Sequence, residues 1–228
     1  MQDTAPTPIV IPIEKLALIE RREEATGIYT YQFRPEKPVP YSAGSYTHIR
    51  VPSLPPEVRR TRELSFSSSP SEALLSFTVD SRSGSEYQKA LTALEQGGVV
   101  ELFKTRSHLT WPPPVEDVVM IAGGIGITPF RSMVLDAHER QRSSAITLVH
   151  VTGETHFFKS ELEGLVSEYR AIARSEFEET LARVVDAHAQ AHYYVAGSPS
   201  FVQAVAATLQ EKGIARIESD EFKGLLSE

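Results

Sequence analysis

The chain has 228 residues, 41% hydrophobic and 23% charged, the composition of an ordinary globular protein with room for one large domain or two of about a hundred residues each. It contains no cysteine, which excludes disulfides, thiolate zinc sites, cysteine nucleophiles and ordinary iron–sulfur clusters within the chain. A net charge of −7 argues against nucleic acid as the main partner, without excluding a local basic site for phosphates.

The N-terminal MQDTAPTPIVIPIEKL has no basic stretch ahead of an apolar core and so does not read as a secretory signal. No apolar run approaches the roughly 20 residues that span a bilayer, so no membrane span is expected; the absence of cysteine leads to an expected cytoplasmic location, though it also fits an exported chain. Short strands then follow at Glu14–Arg22, Ile28–Arg34, Ser45–Val51, Arg62–Ser68, Leu74–Asp80 and Val99–Phe103, each bounded by Gly, Pro or Ser. One helix interrupts them, in SEYQKALTAL, where Ser85 and Gln88 have capping-box spacing and Gly97–Gly98 supply a stop. Six strands with such turn signals predict an antiparallel β-barrel. Within it, Arg59, Arg60 and Arg62 precede a serine-rich strand, and Ser83, Gly84 and Ser85 stand at the helix N-terminus. An arginine fork beside a helix N-terminus suits a pyrophosphate; taken separately, the two segments also read as a solvated basic loop and an ordinary capped helix.

Pro112–Pro114 can continue neither a strand ladder nor a helix, and divide a domain at 1–112 from a second at 113–228. The second domain alternates. The strands VVMIAG, AITLVHV, HYYVAG and ARIESDEF are interleaved with the helical stretches TPFRSMVLDAHERQ, FKSELEGLVSEYRAI, EETLARVVDAHA and SPSFVQAVAATLQEKG. That alternation predicts a parallel sheet with helices on both faces, with its ligand outside the carboxyl ends of the strands.

The first strand of this half runs into MIAGGIGITPF. Gly123, Gly124 and Gly126 permit a tight turn and close approach of a ligand, Thr128 is a good N-cap, and Pro129 suits the first helical position. Free N–H groups and the helix dipole would then make an anion site. Pro129 departs from G-x-G-x-x-G and the lysine of a P-loop is missing, and glycines placed for packing alone are the plain alternative. The same device recurs in GSPSF, with Gly197 at a strand end, Ser198 as cap and Pro199 at the first helical position. His188 and His192 are four apart, as in some zinc sites, but no H-E-x-x-H accompanies them and no metal is expected; no G-x-S-x-G elbow suggests a hydrolase.

Taken in order, these segments resemble the ferredoxin–NADP reductase-like flavoprotein family over nearly the whole chain. YSAGSY is similar to aromatic-x-A-G-Q-Y, RELS to R-x-Y-S, SGSEYQKAL to the flavin-phosphate segment, GGIGITP to G-G-x-G-x-T-P, YYVAGSP to Y-x-x-C-G-P-P and DEFKGL to E-x-F-x-G-Y. The resemblance implies FAD, with FMN the lesser alternative, and NADH or NADPH as hydride donor. It puts Arg62 on the flavin phosphates, Ser65 at the redox edge of the isoalloxazine, and Glu63 and Leu64 beside the ring. Tyr46 and His48 would line the flavin pocket or merely wall it, and Ser83, Gly84 and Ser85 would cradle phosphate. Gly124, Gly126, Thr128 and Pro129 would approach the nucleotide, Gly197, Ser198 and Pro199 would border the nicotinamide, and Glu221 would lie near it. Ser65 and Glu221 are thus the catalytic candidates. Departures are Leu64 for tyrosine, Ala196 for cysteine, Leu225 for the terminal tyrosine and the lack of P-x-G before the linker. For a 2′-phosphate, Arg174 and Ser175 speak in favour and Glu154 against. The function implied is a flavin-dependent NAD(P)H oxidoreductase passing electrons to a ferredoxin-, flavodoxin- or small-molecule-type acceptor. The alternatives are an electron-transfer subunit of a larger complex with little activity alone, or a scaffold that no longer binds flavin.

Overall fold

The computed structural model describes residues 12–111, 117–142, 144–153 and 155–222. The first half forms β1 (Glu14–Ala25), β2 (Ile28–Pro35), β3 (Ser45–Arg50), β4 (Thr61–Ser65), β5 (Leu75–Asp80), α1 (Glu86–Thr92) and β6 (Val99–Ser107). All the pairings are antiparallel and the strand order is β4-β3-β6-β1-β2-β5. The two outer strands meet through a bridge between Phe66 and Phe77 and a bond from the Ser67 N–H to the Ser76 carbonyl at 2.8 Å, which brings the sheet round into a barrel. Its interior is apolar: Leu16, Tyr31, Phe33, Ile49, Phe66 and Val100 are among its buried side chains, and α1 closes one end with Tyr87 and Leu91. The capping box is present, with Ser85 accepting from the Gln88 N–H and Gln88 accepting from the Ser85 N–H at 3.2 Å.

The second half forms β7 (Asp117–Gly123), α2 (Ile127–Glu139), β8 (Ala145–Val151), α3 (Lys159–Leu162), β9 (Glu168–Ile172), α4 (Phe177–Ala187), β10 (His192–Gly197), α5 (Pro199–Glu211) and β11 (Ile217–Glu221). The sheet is parallel in the order β11-β10-β7-β8-β9. Alternate residues of β7 serve opposite cores: Val118, Met120 and Ala122 pack with Phe130 and Met133 of α2, while Val119 and Ile121 pack with Leu181 of α4 and Val205 of α5. Strand order reverses between β7 and β10, so the crevice at their carboxyl ends is where a ligand is expected. No helix among the described residues is long and apolar enough to cross a membrane.

Two expectations are corrected. FKSELEGLVSEYRAI is not one helix: α3 is a single turn, and Glu168–Ile172 is a fifth strand on the edge of the sheet. β8 is buried along nearly its whole length, and its backbone groups need partners on both sides; β9 supplies the second set. Nor is Thr128 the N-cap of α2. The chain leaves β7 through a 3-10 turn at Gly124–Gly126, so helical bonding is under way by Ile127 and the cap position falls on Gly126. Pro129 then sits at the third helical position, still within the first turn, where a missing N–H costs nothing. The proline linker and Leu225 lie outside the described residues.

Candidate active site

A cavity of about 330 Å³ opens where the two halves meet. β3 contributes Tyr46; β4 contributes Arg62, Glu63, Leu64 and Ser65; β5 contributes Thr78, Val79 and Asp80; and α1 contributes Tyr87 and Gln88. From the parallel-sheet half come Ile125, Thr128, Asp220, Glu221 and Phe222, and His108 joins from the segment after β6. Antiparallel pairing sets Ser65 opposite Tyr46, and this puts both at the same level of the cleft. The Arg62 guanidinium lies over the Tyr87 ring, 5.3 Å from its centre, which holds a cation at the barrel end of the cavity.

Across the cleft, the Ser65 hydroxyl donates to Asp220 Oδ2 at 3.3 Å. Asp220 is only 5% exposed. Burial raises its pKa from the ordinary 3.8 to about 6, opposed by the charge of His108 and the Ser65 hydrogen bond and reinforced by Glu63. The cleft therefore holds a carboxyl group poised to gain or lose a proton near neutrality, in contact with a buried hydroxyl. Glu221 also lines the cavity, but its carboxylate accepts from Gln203 at 3.3 Å. The acid that meets Ser65 is its neighbour. Spacing could have found it: Asp220 stands two residues before Phe222, as the acid does in E-x-F, and Glu221 does not. His108 carried no such signal; it stacks on Tyr46 at 4.8 Å, a contact between segments far apart in sequence.

A second cavity, of about 810 Å³, lies at the carboxyl ends of the parallel strands. Gly123 and Gly124 line it at and just past the end of β7, Val151, Thr152 and Gly153 at and just past the end of β8, and Ser198, Ser200 and Phe201 at the start of α5. Arg174, just past β9, and Lys212 bring positive charge to it. Asp80 and Ile125 line both cavities, so the two are neighbours across that pair. Ser198 caps α5 by accepting from the Phe201 N–H at 3.4 Å, with Pro199 at the first helical position, as the sequence predicts. Gly126 is buried against β10, where a Cβ would collide with the Ala196 carbonyl, so the turn can pass this close only with glycine.

The other sequence candidates lie differently. His48 faces Phe103 and stands 3.3 Å from Glu63, outside both cavities. Ser83 and Ser85 engage Gln88, which itself reaches the first cavity. Ser175 lines neither cavity, and Glu154 lies outside the described residues. His188 and His192 turn to separate acids, Asp117 at 2.8 Å and Glu218 at 3.0 Å.

Residues 120–207 match the family described as oxidoreductase NAD-binding domain. The chain is 25% identical over 223 residues to a flavohemoprotein of Bacillus subtilis, covering 87% of this chain and 56% of that one. It is 25% identical over 191 residues to the 3-chlorobenzoate-3,4-dioxygenase reductase subunit of Comamonas testosteroni, covering 82% and 60%. The chain thus spans a little over half the length of these relatives. Among solved structures, a ferredoxin NADP+ reductase from Neisseria gonorrhoeae with bound FAD and NADP superposes with a TM-score of 0.77 at 16% identity, over 92% of this chain and 98% of that one.

Proposed function

We propose, for a chain that belongs to the ferredoxin–NADP reductase-like family, that it is a flavin-dependent NAD(P)H oxidoreductase whose two substrate-binding mouths open into one cleft. The observation that carries this reading is the contact of Ser65 with Asp220: a barrel hydroxyl and a carboxyl group from the end of the parallel sheet share a single cavity. The reading is supported by the NAD-binding domain match and by relatives named as flavohemoproteins and a dioxygenase reductase subunit.

The residues present fit a flavin. Tyr46, Leu64, Val79 and Tyr87 give a partly apolar slot, Arg62 gives a cation for phosphate, and the slot is within the size range of small-molecule sites. The chemistry that such a ring supplies is acceptance of a hydride and release of electrons one at a time. The chain's own part is to bind, orient and handle the proton. Arg62 anchors at one end. Ser65 holds a hydroxyl proton at the interdomain end and is itself fixed by Asp220. With its pKa near 6, Asp220 can take up or return a proton through Ser65 without leaving its place. The glycine turn and the start of α5 present the nucleotide from the second cavity, and Ile125 stands at the passage between them. Holding two reactants in a fixed arrangement is where most of the rate enhancement would arise.

The chain, loaded with FAD or FMN and mixed anaerobically with NADH or NADPH, should reduce a dye acceptor. Ser65→Ala should lower the rate roughly tenfold to a hundredfold while leaving flavin content unchanged. A Ser65→Ala variant as fast as the parent would remove Ser65 from the mechanism. A second reading, an electron-transfer subunit that passes its electrons to another chain, is supported by the relative named as a dioxygenase reductase subunit. It predicts flavin reduction by NAD(P)H with slow transfer to simple dyes.

A further inference from the structure

We infer that His150 is a positioning residue for nucleotide binding: by drawing the Gly124 carbonyl into the domain interior, it turns the Ile125 N–H outward as an anion donor where the two cavities meet. This deepens the nucleotide reading above and rests on it.

His150 lies on β8 and is fully buried. Each ring nitrogen has one partner, Nε2 at 3.0 Å from the Gly124 carbonyl oxygen and Nδ1 at 3.0 Å from the Tyr169 hydroxyl. A carbonyl oxygen only accepts, so Nε2 carries the proton; in a neutral ring Nδ1 then accepts, and Tyr169 donates to it. Burial keeps the ring neutral by pushing its pKa down to about 4, against the bond to Gly124 and with the help of His156. His156 and Phe157 complete its surroundings, edge-on at 5.2 and 5.4 Å.

The Gly124–Ile125 peptide is trans, so its carbonyl and its N–H point in opposite directions. A carbonyl held by His150 sends the Ile125 N–H away from the core, and Ile125 is the residue of this turn that lines both cavities. Gly124 has a φ of +53°, and a Cβ there would meet nothing within 4 Å. Glycine is thus needed for its backbone angle, not for lack of room. The next carbonyl is tied back in the same way, by the Thr128 hydroxyl donating to the Ile125 oxygen at 3.1 Å. A turn meant for phosphates must hide its oxygens and show its N–H groups. Here two side chains, one of them more than twenty residues away on another strand, join the Ile127 N–H in hiding two successive oxygens.

Calorimetric titration of the flavin-loaded chain with NADH and with NADPH tests this, using the parent, His150→Gln and His150→Asn. The amide nitrogen of glutamine can occupy the place of Nε2 and donate to Gly124; that of asparagine reaches only the place of Nδ1. The His150→Gln variant should bind within about threefold of the parent and the His150→Asn variant about tenfold more weakly, with melting temperatures alike and flavin content unchanged. Equal affinity of the two folded variants, strong or weak, would overturn the inference. If the asparagine variant does not fold, His150→Met decides, since it keeps the bulk of the ring and donates nothing to Gly124: binding about tenfold weaker supports the inference, and parental affinity overturns it. A parent chain that binds neither nucleotide would instead overturn the nucleotide reading itself.

Discussion

Asp220 shows how a single residue can be costly to the fold and useful to the site. Its carboxyl group is buried, and the folded chain holds its proton more tightly than the unfolded chain, with a pKa of about 6 against 3.8. Its contribution to stability is therefore complete below about pH 4, declines as pH rises through 6, and above that becomes a standing cost of ionising a buried group. Asp220→Asn should raise the melting temperature at pH 8, by an amount corresponding to roughly 3 kcal/mol, and leave it unchanged near pH 4. A variant that melts with or below the parent at pH 8 would contradict the burial argument. The same scale shows what the sequence could convey. RELS puts Ser65 in the serine position of R-x-Y-S, and Glu221 was the acid expected beside the nicotinamide; the carboxyl group that touches Ser65 belongs to Asp220, the position that the E-x-F spacing marks.

At the scale of elements, the halves are fastened by Arg131 of α2. This residue is only 8% exposed; its side chain donates to the Ser67 carbonyl of the barrel at 2.5 Å and pairs with Glu72 at 3.2 Å and with Glu161 of α3 at 2.6 Å. The Phe158 ring lies 5.3 Å from its guanidinium. Removing it takes the donor from Glu161 and from the buried Ser67 carbonyl and leaves Glu72 only the Ser69 N–H at 2.7 Å, so Arg131→Ala should cost about 2–3 kcal/mol in thermal or denaturant unfolding. Arg183→Ala, which breaks an exposed pair with Glu179, should cost less than about 0.5 kcal/mol. Equal losses would show that Arg131 is no fastening. Elements with their own punctuation were legible in sequence: the Ser85–Gln88 box and the Ser198–Pro199 start both stand where the residues put them. β9 was not, because it is a short edge strand, mostly half-buried, following a single helical turn. What makes it a strand is the unpaired edge of β8, which lies elsewhere in the sequence.

For the whole molecule, the change of grammar at the prolines foretold two architectures, a barrel and a parallel sheet, and both are present. How they face each other was not legible in local pattern. That depends on contacts between distant segments: Ser65 with Asp220, Arg131 with Ser67, and the Tyr194 hydroxyl donating to the Thr110 carbonyl at 2.6 Å. These contacts place Ile125 and Asp80 between the two cavities, and the proposal that a flavin and a nicotinamide bound by this chain meet in one cleft rests on that arrangement. The most direct measurement is an anaerobic titration of the flavin-loaded chain with NADH and then NADPH, following the visible flavin band. Stoichiometric bleaching with at least one of the two is expected; a chain that binds both flavin and nucleotide yet keeps its colour would contradict the shared cleft.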